Sequence, residues 1–169
     1  TLFGSGSYRM GLLYPNPYSV AMSSLGYQVM YRLFNEHPDV VCERATLPDD
    51  VEAFRKGNKP LTTIETNYPV GGMDCLAFSL AFEPDLAGVF TMLDMIHVPI
   101  LRSERESHHP PVIVGGPITM SNALPLAPIA DAVVIGDGEL AATPLMETLL
   151  RFSRSDQRKE LLAHLAQLP

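Results

Sequence analysis

Hydrophobic positions along the chain fall into short, nearly unbroken runs separated by longer stretches of mixed polarity. The runs are residues 10–14 (Met-Gly-Leu-Leu-Tyr), 40–45, 74–80, 112–114 and 131–135. Each is too short for a buried helix, and each is bounded by turn residues, so each predicts a strand covered on both faces. Pro15-Asn16-Pro17 should stop the first. The stretch from Ser19 to Asn35 reads instead as an amphipathic helix opened by Pro17 or Ser19, with Val20, Leu25, Val29, Leu33 and Phe34 on its apolar face.

Pro48-Asp49-Asp50 opens a short helix that runs through Arg55 and ends at Gly57, and Glu83-Pro84-Asp85 opens another that reaches about His97. Residues 62–66 read as a short strand or irregular edge, Gly71-Gly72 as a turn, and 99–101 as an edge extension. A short helix follows the fourth strand. Residues 139–153 and 155–168 are expected to be helices, the last polar enough to be peripheral.

Strands and helices thus alternate. Right-handed crossovers between buried strands give one α/β domain over residues 1–169: a three-layer, doubly wound, flavodoxin-like (Rossmann-like) domain. Its sheet is mostly parallel and five-stranded, in the order 2-1-3-4-5.

With 46% hydrophobic and 18% charged residues, the composition is that of a globular chain. The net charge of −7 argues against direct nucleic-acid binding. The short basic cluster Arg151, Arg154, Arg158 and Lys159 is interleaved with polar groups and reads as a solvated helix face. Cys42 and Cys75 stand far apart in apolar runs and are expected to be buried free thiols, which suits the cytoplasm. No apolar run reaches bilayer length, so no membrane partner is expected. The start at Thr1 is neither an initiator methionine nor a secretion signal, so the chain is expected to be a piece of a longer protein.

Ligands of an open parallel sheet sit beyond the carboxyl ends of its strands. The residues there are Asn16 and Tyr18 after the first strand, Ser79 to Glu83 after the third, Gly115-Gly116-Pro117 after the fourth and Gly136-Asp137-Gly138-Glu139 after the fifth. Gly115-Gly116 suits either close approach of a ligand or a tight turn. Gly136 to Glu139 suits an anion at a helix start, but its two acids oppose a phosphate and favour simple capping. Glu83 and Asp137 are an acid/base pair only if the fold brings them together, and otherwise a solvated rim. His108-His109 lies upstream of a strand, at the opposite edge, and in an extended segment its rings would point apart, which argues against a metal pair. No serine, histidine and acid stand at matching strand ends, so no catalytic centre is expected.

Four blocks carry a resemblance: residues 13–26 (Leu-Tyr-Pro-Asn-Pro-Tyr-Ser-Val-Ala-Met-Ser-Ser-Leu-Gly), Phe78-Ser79-Leu80, residues 112–117 (Val-Ile-Val-Gly-Gly-Pro) and residues 134–139 (Val-Ile-Gly-Asp-Gly-Glu). Together they resemble the amino-terminal, cobalamin-binding-like domain of radical S-adenosylmethionine (radical SAM) proteins. The resemblance implies a flavodoxin-like sheet with a corrin over its carboxyl edge, and a cofactor-binding set of Asn16, Tyr18, Ser79, Leu80, Gly115, Gly116, Pro117 and Gly136. Tyr18 stands where cobalamin domains that use a protein ligand carry the histidine bound to cobalt, and Ala81 stands where their serine motif has leucine. Two readings follow: cobalamin held without a histidine on cobalt, or a ligand-free structural domain that packs on the radical SAM domain and shapes substrate access. A flavin or nucleotide site is disfavoured because Pro15 and Pro17 remove amide donors. The resemblance also implies a partner domain in the same parent that holds the 4Fe-4S cluster and S-adenosylmethionine, since no Cys-x-x-x-Cys-x-x-Cys occurs here.

Overall fold

A computed structural model describes residues 6–57, 59–152 and 158–168. Five parallel strands, β1 (Tyr8–Pro17), β2 (Val40–Leu47), β3 (Cys75–Ser79), β4 (Val112–Gly115) and β5 (Ala132–Val133), lie in the order β2-β1-β3-β4-β5. This is the flavodoxin-like order expected from the alternation of elements. The sheet is parallel throughout. The helices are α1 (Tyr18–Ser23), α2 (Leu25–Glu36), α3 (Val51–Lys56), α4 (Asp85–Met95), α5 (Ile118–Ser121), α6 (Gly138–Arg151) and α7 (Arg158–Leu165).

Side chains alternate across the sheet and feed two separate cores. Met10, Leu12, Tyr14, Cys75, Ala77 and Ile113 face α2, α6 and α7. Leu13, Leu76, Phe78, Leu80, Val112 and Val114 face α4 and the irregular segments around Leu61, Val98 and Leu126. At the β1 end, α4 lies close to the strand: a β-carbon on Gly88 would stand 2.2 Å from the Pro15 carbonyl oxygen. Only a glycine fits that contact.

Several expectations are corrected. Pro15 and Pro17 do not stop β1; the strand continues to Pro17 through a register shift after Tyr14, where their missing N–H groups cost no regular ladder bond. The single helix from Ser19 to Asn35 is two helices broken at Ser24, whose extended backbone lets its hydroxyl cap the Tyr27 amide of α2. The break rotates the apolar face: Tyr27, Tyr31 and Phe34 are the buried residues of α2, whereas Val20 is exposed and Leu25 is 78% exposed. Residues 99–101 form no strand, whereas residues 62–66 are the irregular edge among the two alternatives, with one isolated antiparallel bridge from Thr62 to Pro69. His108 and His109 do not point apart; the segment turns, and their rings lie 3.9 Å apart.

Arg158 is not on a solvated face. It donates to Asp131 at 2.6 Å and to the His109 carbonyl at 2.8 Å. Arg105 donates to the same Asp131 carboxylate at 2.9 Å, and so does the Val112 amide at 2.8 Å. This buried cluster fastens α7 to the amino edge of the sheet. Arg154, the helix ends expected at Ser153 and Ser155, and Thr1 to Ser5 lie outside the described residues. Among the described residues no helix is long and apolar enough to cross a membrane.

Candidate functional site

At the carboxyl half of the sheet the two faces differ. The α4 face is filled by Phe78, Leu80 and Val114. On the other face, the same strands present Ala77, Ser79 and Gly115, and a groove of about 700 Å³ opens between the sheet, α2 and α6. Its volume is that of a small-molecule site.

The groove follows from register. Leu12 stands opposite Ala77, and Ala77 opposite Ile113, which makes the apolar floor. One pleat further out, Ser79 stands opposite Gly115, with Tyr14 next along β1. A β-carbon on Gly115 would meet only Val134, at 3.7 Å, so the missing side chain leaves free volume. Gly116 serves the backbone instead: its φ is +107°, and a β-carbon there would stand 2.4 Å from the Leu80 carbonyl oxygen. The walls are Gly26, Val29 and Met30 of α2 and Ala141, Ala142 and Leu145 of α6. Gly138 admits Met30, whose sulfur would lie 3.0 Å from a β-carbon at that position.

Of the residues expected to form a cofactor site, the groove brings together Ser79, Gly115, Gly116, Pro117 and Gly136. The other three lie elsewhere. Leu80 is fully buried in the core of the opposite face, because it is one residue out of phase with Ser79. Asn16 donates to Asp85 at 2.9 Å, and the other oxygen of Asp85 accepts from the amides of Ala81 and Phe82. That arrangement fixes the loop after β3. Tyr18, the residue in the histidine position, opens α1, is 54% exposed and does not line the groove. Asp137 caps α6 by accepting from the Glu139 amide, as expected of that loop, and Glu83 is not among the lining residues.

Residues that sequence reasoning missed include Leu12, Tyr14, Ala77 and Gly26. Strand alternation counted back from Ser79 and Gly115 would have found Ala77 and Ile113. Gly26 needed the helix break at Ser24.

Titration behaviour marks the interior of this same face. Burial pushes the Cys42 and Cys75 thiols up, and likewise the Tyr8 and Tyr27 phenols; Tyr31 is pushed up to about 12 by burial and the nearby Glu65 carboxylate. Cys42 and Cys75 flank Met10 on its two neighbouring strands. Two strand spacings, about 9–10 Å, separate them, beyond disulfide reach. Both are free and buried. Among the described residues no His, Cys, Asp or Glu group is arranged to hold a metal ion.

Fold and site define a class: a doubly wound α/β domain with an apolar-bodied groove opening at the carboxyl edge of its sheet. Residues 26–169 match the family described as radical SAM proteins, N-terminal. The chain belongs to that family. The match leaves β1 and α1 outside, so Asn16 and Tyr18 are not part of it. No curated protein and no solved structure matches the chain.

Proposed function

We propose that this is the cofactor-binding accessory domain of a radical SAM protein, and that its groove takes the nucleotide tail of a cobalamin. The carrying observation is the groove itself: an apolar slot about 700 Å³ in volume, floored by Leu12, Ala77 and Ile113 and edged by Ser79 and Gly115 at the carboxyl edge of the sheet. The residues suit such a group. Ala77 and Gly115 leave room for a flat ring, Leu12, Ile113 and Leu145 offer it apolar contact, and Gly116 lets the backbone pass close to the mouth. Among the described residues no histidine lines the groove, and in this reading the cobalamin is held by its tail with no protein nitrogen on cobalt. Pro15 and Pro17 remove amide donors from the end of β1, which sets aside a flavin or nucleotide binder that needs a phosphate loop there. When bound, the cobalamin would supply cobalt chemistry; this chain's residues bury its tail and exclude water from it. The 4Fe-4S cluster and S-adenosylmethionine belong, in this reading, to a radical SAM domain of the same parent, since Cys42 and Cys75 are sealed in the core.

The second reading, a ligand-free domain packed on that radical SAM domain, is favoured by one observation. Leu25, Phe82, Met120, Leu124, Ile135 and Leu140 are all exposed, and Leu25 and Met120 also line the groove mouth. Such a collection of apolar side chains suits a protein contact.

Titration with hydroxocobalamin, followed by visible spectrum and calorimetry, separates the two. Micromolar binding, about −8 kcal/mol, with a spectrum lacking any histidine on cobalt supports the cofactor reading. Gly115→Val should then abolish binding while leaving the fold intact, because a side chain at Gly115 enters the groove rather than the backbone. No heat and no spectral change at high micromolar cofactor favours the packing domain.

A further inference from the structure

Tyr14 lines the groove, and its hydroxyl has no structural task among the described residues. Its ring is 6% exposed and packs edge-on to Tyr27, with centroids 5.2 Å apart. Its neighbours use their polar groups internally: Tyr27 donates its hydroxyl to the Leu12 carbonyl at 2.9 Å, and Ser24 accepts from the Tyr27 amide. The Tyr14 hydroxyl has no hydrogen-bond partner among the described residues, and it is not sealed off, since no buried side-chain oxygen or nitrogen there lacks a partner. The groove its ring lines is the space open to it. The Ser79 hydroxyl, one residue beyond Phe78, the β3 partner of Leu13, is equally without a hydrogen-bond partner among the described residues and lines the same groove. Both hydroxyls are therefore free to hydrogen-bond a ligand that enters the groove.

We propose that Tyr14 is a specificity residue: with Ser79 it forms a hydrogen-bonding edge on the mouth side of the groove, above the apolar floor of Leu12, Ala77 and Ile113, and so selects a flat heteroaromatic ring with polar atoms on one edge and an apolar opposite edge. The phenol can donate to an unprotonated ring nitrogen or accept from a ring N–H. This rests on the groove being a ligand site, and it specifies what the tail's base must look like.

Two fragments test it without a corrin: benzimidazole, and its carbocyclic analogue indene, which has the same shape and no ring nitrogen. Each is titrated into the chain while backbone amides are followed by NMR. Benzimidazole should shift the amides of Leu12, Ala77 and Ile113 and bind about fivefold tighter than indene or more, as a recovered hydrogen bond allows. Tyr14→Phe keeps the ring and its contact with Tyr27, so the spectrum should keep its dispersion, while most of the preference for benzimidazole disappears; Ser79→Ala should remove the rest. Equal binding of the two fragments, a preference unchanged in Tyr14→Phe, or no shift at those amides from either fragment overturns the proposal. Hydroxocobalamin, titrated in parallel, separates the two claims. A Tyr14-dependent preference for benzimidazole without cobalamin binding sinks the cobalamin reading and supports this one. Cobalamin binding that is unchanged by Tyr14→Phe, with the fragments bound equally, does the reverse.

Discussion

The two faces of one sheet are built from neighbouring residues of the same strands, yet one is solid and the other hollow. Phe78, Leu80 and Val114 fill the α4 face; Ala77, Ser79 and Gly115, one position away, leave the α2/α6 face open at its carboxyl end. A groove of about 700 Å³ needs neither an insertion nor a special loop here. Three small residues in register on β3 and β4, with helix walls kept lean by Gly26, Ala141 and Ala142, are enough. Toward the amino edge only a smaller cavity of about 200 Å³ opens, and there Asp131 gathers Arg105 and Arg158 into a buried ion cluster that ties down α7.

That division can be broken most severely from the solid side. Phe78→Ala should cost about 3–5 kcal/mol, as emptied aromatic core positions do, read as a lower urea midpoint at unchanged slope. Filling the position before it should cost little, because Ala77 borders free volume. The sharper comparison is between adjacent glycines. Gly116→Ala puts a β-carbon on a left-handed backbone at 2.4 Å from the Leu80 carbonyl. The backbone strain alone is worth about 1–3 kcal/mol, and the clash adds about as much. Gly115→Ala meets only Val134 at 3.7 Å and should lie within about 0.5 kcal/mol of the parent. If the two substitutions cost the same, the assignment of Gly116 to the backbone and Gly115 to the groove is wrong.

The fold was largely legible because its signals are local: short apolar runs, the Asp50 cap and Gly57 stop of α3, and acids at the start of α4 all survive translation into structure. The site was legible only where a residue type announces itself. Gly115, Gly116, Ser79 and Gly136 stand at the groove because glycines and a serine after buried strands are conspicuous. Leu80 was misplaced because adjacency in sequence was read as adjacency in space, although period-two alternation sends it to the other face. Tyr14 and Leu12 read as ordinary strand residues; what singles them out is Ala77 across the sheet, a non-local fact. The misplacement of Val20 and Leu25 on the apolar face has a similar cause. Ser24 resets the helical phase, and nothing in the apolar spacing signals a cap inside what reads as one helix.

Alkaline pH probes the same contrast with the smallest initial effect. Cys42, Cys75, Tyr8, Tyr27 and Tyr31 all belong to the core of the grooved face, and the α4 face has no buried thiol or raised phenol among its core residues. All five groups are held protonated by burial, with folded values above the ordinary 9.0 of a thiol and 10.0 of a phenol. Unfolding at high pH therefore releases protons. The stability these groups contribute is fully present below about pH 9 and is lost as pH rises past the ordinary thiol and then phenol values toward the folded ones. Once past its unfolded value, each thiol or phenol steepens the loss by about 1.4 kcal/mol per pH unit. Urea midpoints measured between pH 8 and 11 should fall progressively, and Cys42→Ala with Cys75→Ala should flatten the first part of that fall while lowering the plateau. Amide exchange should show β1 and α2 loosening before α4 as pH rises. Uniform loosening across both faces would mean that the two cores open as one unit, and that the hollow face is no weaker than the solid one.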